Sequence, residues 1–179
     1  MKNLKMTMLI TGAILYTFTL SSFAFGQQTP TLSDAEIASI AVVANQNDID
    51  FAKIAMQKAS DPKVAEFAKT MINDHQAVID MAVELVTKLK VTPKDNPVSK
   101  EYVSNAKKTM EMLNSKSGKA FDKAYVDNEV EYHRAVIGAV KTVLIPQSQN
   151  EELKALLQKA VPIFETHLQH AEMIQKQLK

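Results

Sequence analysis

A chain of 179 residues can build one domain with a real core, and 21 basic against 20 acidic residues leave no basic stripe of the kind a nucleic-acid partner requires. No cysteine is present, which removes disulfides, thiolate metal sites, lipoprotein attachment and thiol catalysis together. Four glycines are too few for a phosphate cradle, and no nucleophile motif or dinucleotide fingerprint occurs.

Residues 1–26 read as a signal peptide. Lys2 and Lys5 form a short basic region, and an apolar run over residues 6–20 follows. Ala24 and Gly26 then stand at the −3 and −1 positions of a signal-peptidase site, so cleavage is expected before Gln27. An uncleaved anchor is the rival reading, but the apolar run falls short of the roughly 20 residues that span a bilayer. The mature chain keeps 19 basic and 20 acidic residues, with the charges interspersed. It is expected to be exported to the periplasm or cell envelope, with no transmembrane span after cleavage and no nucleic-acid partner. No protein or envelope partner can be named from the residues.

Residues 27–32 form a polar, proline-containing tail expected to be loosely ordered, and the domain proper spans 33–179. Ser33-x-x-Glu36 is a capping box that opens a first long helix, ending near Ala59. Asn47 and Asp48 lie inside its apolar stripe, between Ala44 and Phe51, with Asp50 at the margin. Ser60-Asp61-Pro62 restarts the chain with proline in the first turn. On the second helix His75 shares its face with Ala68, Met71, Ile72, Val78, Ile79 and Ala82, where a hydrophobic residue is expected. Two long helices joined so closely form an antiparallel hairpin.

Val91 to Pro97 is a break, and a short helix follows from about Ser99 to Leu113. The next long helix runs from about Lys119 to Leu144, with Glu129 in its apolar face, His133 on the shoulder and Pro146 closing it. Ser148-x-x-Glu151 offers a second capping box. The last helix carries His167 at the centre of its stripe and His170 to one side, with Pro162 inside the pattern. No stretch alternates as a strand. The fold class is therefore all-α: a four-helix bundle with an extra short helix in the long connection between the second and third long helices.

Each long helix thus places a polar group on its apolar face: Asp48, His75, Glu129 with His133, and His167. Counted from the turns at about 1.5 Å per residue, the two members of each hairpin lie within about a turn of each other. Whether the two pairs meet depends on how the hairpins are arranged. Carboxylates and imidazoles converging inside a bundle can hold iron, zinc, copper or manganese. They can equally form a buried polar network that fixes register. The Glu-x-x-His pairs of di-iron bundles are absent, since Ile72, Val130 and Phe164 stand three residues before His75, His133 and His167. An oxidase is thereby disfavoured. Asp50 and Asp74 read as solvated flanks, His170 as a surface residue, and Met56, Met71, Met110 and Met173 as core filler. Tyr125 and Tyr132 are expected to pack with their hydroxyls reaching the polar patch.

Several pieces together carry a family resemblance: Asp48 and Asp50 before Phe51-Ala52-Lys53-Ile54-Ala55, Phe67 to His75, Phe121-Asp122-Lys123-Ala124-Tyr125-Val126 with Val130 and His133, and Pro162 with His167-Leu168. From about Ser33 to Leu178 the chain resembles the exported bacterial family known as domain of unknown function 4142, grouped with the ferritin-like bundles. The resemblance implies a ferritin-like bundle in the envelope, and it assigns no biochemical role. That family often carries an amide at the position of Glu129, so the carboxylate here is a departure. The leading expectation is a metal ion held by His75, His133 and His167 with Glu129 or Asp48, serving metal handling or envelope stress. The competing expectation is a non-catalytic binding or scaffolding module whose polar interior only specifies packing.

Overall fold

Residues 31–178 are described by a computed structural model, and every regular element among them is helical. The expected signal peptide and residues 27–30 of the tail lie outside the described residues. Ser33 caps α1 (Asp34–Lys58) through the reciprocal box with Glu36. Leu32, just before it, is buried, and its N–H donates to Gln147 Oε1 at 2.7 Å. Asp61 caps α2 (Pro62–Lys88), accepting from the Lys63 N–H, with Pro62 in the first turn. The additional helix, α3 (Pro97–Asn114), begins two residues before Ser99, because Asn96 is its cap and shares a box with Ser99.

The third long helix, α4 (Gly118–Ala139), does not end simply at Pro146. It widens into a π-helical stretch (Val140–Leu144) and then a single turn, α5 (Ile145–Gln147). The cause is local: Pro146 has no N–H for the Thr142 carbonyl, and its ring crowds that carbonyl, so the preceding turn opens. The second capping box expected at Ser148 does not form. Ser148 Oγ instead donates to the Leu144 carbonyl, and Asn150 caps α6 (Glu151–Gln177) by accepting from the Glu152 and Leu153 N–H groups. That helix continues through Pro162.

Packing settles the order of the helices. α1 lies on α2, α2 on α6, α6 on α4 and α4 on α1, while α3 rests outside the ring against α1 and touches α4. The core falls into two apolar halves. One gathers Phe51, Phe67, Met71, Tyr125, Val126 and Ala171. The other gathers Ile40, Ala44, Val78, Val136, Ala160 and Phe164. On every helix of the ring a polar residue sits at the change-over: Asp48 between Ala44 and Phe51, His75 between Met71 and Val78, His133 between Val130 and Val136, His167 between Phe164 and Ala171. The antiparallel ring therefore stacks these residues into one polar layer near mid-height. Two methionines depart from the core expectation: Met56 and Met173 are 45% and 54% exposed, whereas Met71 is fully buried and Met110 packs against the first half.

Candidate metal centre

The polar layer is buried. Asp48 and Glu129 are 0% exposed, His133 1%, and His75 and His167 3% each. A ligand atom from each of His75, His133 and His167 lies within 4.8 Å of the others, and the same holds for Asp48, Glu129 and His133. All five candidate residues from the sequence are therefore brought together, with His133 common to both groups.

Each imidazole has one nitrogen engaged and one without a partner. His133 Nδ1 is 3.0 Å from the Glu129 carbonyl oxygen, which only accepts, so Nδ1 carries the hydrogen and Nε2 the lone pair. His75 Nδ1 is 2.7 Å from Asn45 Oδ1, while Asn45 Nδ2 donates to the Ala41 carbonyl at 2.8 Å. That orientation of the amide makes Asn45 Oδ1 the acceptor and leaves the lone pair of His75 on Nε2. His167 Nε2 donates to Asp74 Oδ2 at 2.9 Å, leaving Nδ1. His75 Nε2, His133 Nε2 and His167 Nδ1 all lack hydrogen-bond partners, as do both oxygens of Asp48 and both of Glu129.

Asp48 and Glu129 approach differently. Asp48 Oδ2 is 3.5 Å from His75 Nε2 and 3.7 Å from His133 Nε2, facing two lone pairs. These separations are too long for hydrogen bonds. They are close to the roughly 3.4 Å between two ligands bound about 2.1 Å from one ion in a tetrahedral set. Glu129 Oε2 comes within 3.6 Å of the other nitrogen of His133, Nδ1, whose hydrogen is already used. Asp48 thus faces the lone pairs of His75 and His133, and Glu129 stands beside them. A cavity of about 10 Å³, roughly the room of one water molecule, opens between Asp48, His75, Tyr132, His133 and Phe164. The Phe164 ring stacks on His75 at 5.3 Å and closes it on the apolar side. A larger apolar cavity of about 40 Å³ adjoins at Ala44, Asn45, Val136 and Phe164, and no imidazole or carboxylate lines it.

Burial controls the protonation of the layer. It pushes Asp48 up to about 8 and holds Glu129 well above the carboxylate range, with the Asp48 charge adding to the effect on Glu129. It drives His75 well below its ordinary value, helped by His133 and His167, and His133 down to about 4. His167 is lowered less firmly, because Asp74 opposes the burial. The imidazoles are neutral at pH 7, the form that binds a metal.

Two partners have roles that their positions in the sequence do not announce. Asn45 orients His75 from one turn before Asp48, and Asp74, read as a solvated flank, orients His167 while its side chain remains 45% exposed. His170 is half-buried rather than on the surface, its ring edge-on to Phe67 at 5.2 Å, and it is not among the clustered ligands. The two tyrosines divide. The Tyr125 hydroxyl is buried without a partner, and after burial the charges of Glu129 and Asp48 raise it further. The Tyr132 hydroxyl does not join the patch and donates to the Ala44 carbonyl at 2.8 Å.

The sequence profile of the family described as a domain of unknown function, DUF4142, matches residues 21–174. The chain belongs to the DUF4142 family. No curated protein matches it significantly. Among solved structures, a DUF305 protein from Streptomyces coelicolor is similar with a TM-score of 0.68 and 15% identity, over 81% of this chain and 93% of that one. CopM in the Cu(II)-bound form is similar with a TM-score of 0.62 and 15% identity, over 82% of this chain and 98% of that one. At this identity the likenesses speak for the shared helical fold of this DUF4142 chain and not for its chemistry.

Proposed function

We propose that this DUF4142 protein binds a transition-metal ion in the polar layer and serves metal handling in the cell envelope. His75, His133 and His167 would supply neutral imidazole nitrogens and Asp48 a carboxylate oxygen, with Glu129 alongside. One observation carries the reading. Three imidazole lone pairs and four carboxylate oxygens meet in one buried layer, and none of these atoms has a hydrogen-bond partner. A network kept only for packing is costly in that state, because unsatisfied buried polar atoms destabilise it. A metal ion accepts lone pairs and would satisfy the ring nitrogens and the Asp48 oxygen that face it.

The other ring nitrogens support the same reading. Each donates outward, to Asn45, to a backbone carbonyl and to Asp74, which is how metal-bound histidines are usually oriented. Iron, zinc, copper and manganese all suit such a donor set. CopM, of similar fold, is described with Cu(II), which places copper among the first to try. The signal-like residues 1–26 support an envelope location; no helix among the described residues is long and apolar enough to cross a membrane.

Thermal unfolding of the metal-free protein against each ion tests this. At a free ion concentration 100 times Kd, linkage adds about 2.7 kcal/mol, a rise in Tm of roughly 5–10 °C for a domain of this size. The rise should vanish when His75 and His167 are both replaced by Leu. If none of the four ions raises the Tm of the wild-type protein, the metal reading is wrong.

A further inference from the structure

The two carboxylates of the polar layer have no fixed cation. Among the described residues no lysine or arginine nitrogen lies within 4.0 Å of Asp48 or Glu129, and their ion-pair neighbours are His75 and His133 alone. Those imidazoles contribute lone pairs and no charge, since their remaining hydrogens are directed to Asn45 and to the Glu129 carbonyl. The layer therefore holds two potential negative charges, fully buried, with nothing in the protein to balance them. Uncompensated charge in such a place is strongly disfavoured.

We propose that the centre selects its ion by charge: Asp48 and Glu129 together match a divalent cation, and Glu129 sets the preference for that state over the monovalent state of the same metal. This rests on the metal reading above. A divalent ion with both carboxylates ionised leaves a neutral centre. A trivalent ion leaves one positive charge buried. With the same two carboxylates ionised a monovalent ion leaves one negative charge buried, so the carboxylate pair is what distinguishes the states. Asp48 faces the imidazole lone pairs, and Glu129 lies within 4.8 Å of an Asp48 ligand atom. The charge count is the same whether Glu129 touches the ion or stands just behind Asp48. Glu129 is therefore a residue that determines specificity, and Asp48 is a ligand.

Copper offers both states of one element. Association constants for Cu(II) and, under anaerobic conditions, Cu(I) are measured on the purified chain by chelator competition at one fixed pH. Glu129→Gln should lower the ratio of Cu(II) to Cu(I) constants about tenfold or more, the scale on which a nearby opposite charge acts, mainly through loss of Cu(II). Glu129→Asp, which keeps the charge, should hold the ratio within about threefold of the wild type. Asp48→Asn should shift it in the same direction as Glu129→Gln, and decides the matter if the latter loses its helical circular dichroism. A ratio unchanged in the charge-removing variants overturns the selection proposal and leaves the metal reading intact. A wild-type protein that binds neither copper state overturns the selection proposal as well. Failure of all four metals in the unfolding assay removes the metal reading beneath it.

Discussion

At the scale of single residues, three acceptors decide what the histidines can do. Asn45, the Glu129 carbonyl and Asp74 each take one ring hydrogen and so turn a lone pair inward. Replacing Asn45 by Ala frees the His75 ring, and metal affinity should fall about 10–100-fold, with helical content unchanged; titration by calorimetry reads this directly. The carboxylates make a second, metal-free prediction. The unfolded chain has released its carboxyl protons by pH 6.5, whereas native Asp48, raised to about 8, retains its own. Stability of the metal-free protein must therefore fall as pH rises from 6.5 to 8, by about 2 kcal/mol for Asp48 alone. His133, held down to about 4, acts in the opposite sense but only below about pH 6.5. Urea unfolding at the two pH values should show the loss, and Asp48→Asn should flatten it; a flat wild-type profile would mean that the carboxyl is not held protonated. His75 and His167 are legible in the sequence because each interrupts an apolar stripe. Asn45 and Asp74 are not, because each reaches its histidine on another helix, and which helices face each other is decided only by packing.

At the scale of elements, capping was readable where a side chain serves its own helix. Ser33 with Glu36, and Asp61 with Pro62, start α1 and α2 as their spacing indicates. Where distant chain segments share the work, the sequence misleads. Ser148-x-x-Glu151 has the right spacing for a cap, yet Ser148 bonds back to Leu144, and the turn is tied to α1 by Asp34, which accepts from the Gln149 and Asn150 N–H groups at 2.9 and 3.1 Å. Asp122 does similar work at the other end of the bundle. From α4, and 1% exposed, it accepts from the Ser60 and Asp61 N–H groups at 2.9 and 3.0 Å and from the Ser60 hydroxyl, pinning the α1–α2 turn. Asp122→Ala removes the three hydrogen bonds that pin this turn and should destabilise the fold by about 1–3 kcal/mol, while metal affinity stays within about threefold. Chemical unfolding and metal titration of the one variant separate the two effects, and an equal loss in both would contradict the division of labour between the turn and the polar layer.

Across the whole molecule, the bundle is two apolar halves joined by a layer to which every helix of the ring contributes. The all-α architecture was legible because apolar residues recur at helical spacing and the breaks fall at prolines and caps. The depth of Asp48, His75, Glu129 and His167 was legible as well, by counting residues from the turns. Their convergence was not, because two hairpins can be assembled in more than one arrangement, and only the contacts of α2 with α6 and of α1 with α4 close the ring. The chemistry of the layer depends on that closure, which places the Asp48 carboxylate opposite two imidazole lone pairs from two other helices. The most direct measurement is anomalous scattering from a crystal grown with the ion that raises Tm most. One peak is expected within the ring, about 2.0–2.2 Å from nitrogens of His75, His133 and His167 and from an oxygen of Asp48. Well-ordered helices with no peak in the layer, or with metal only on exposed carboxylates such as Glu151, would contradict it.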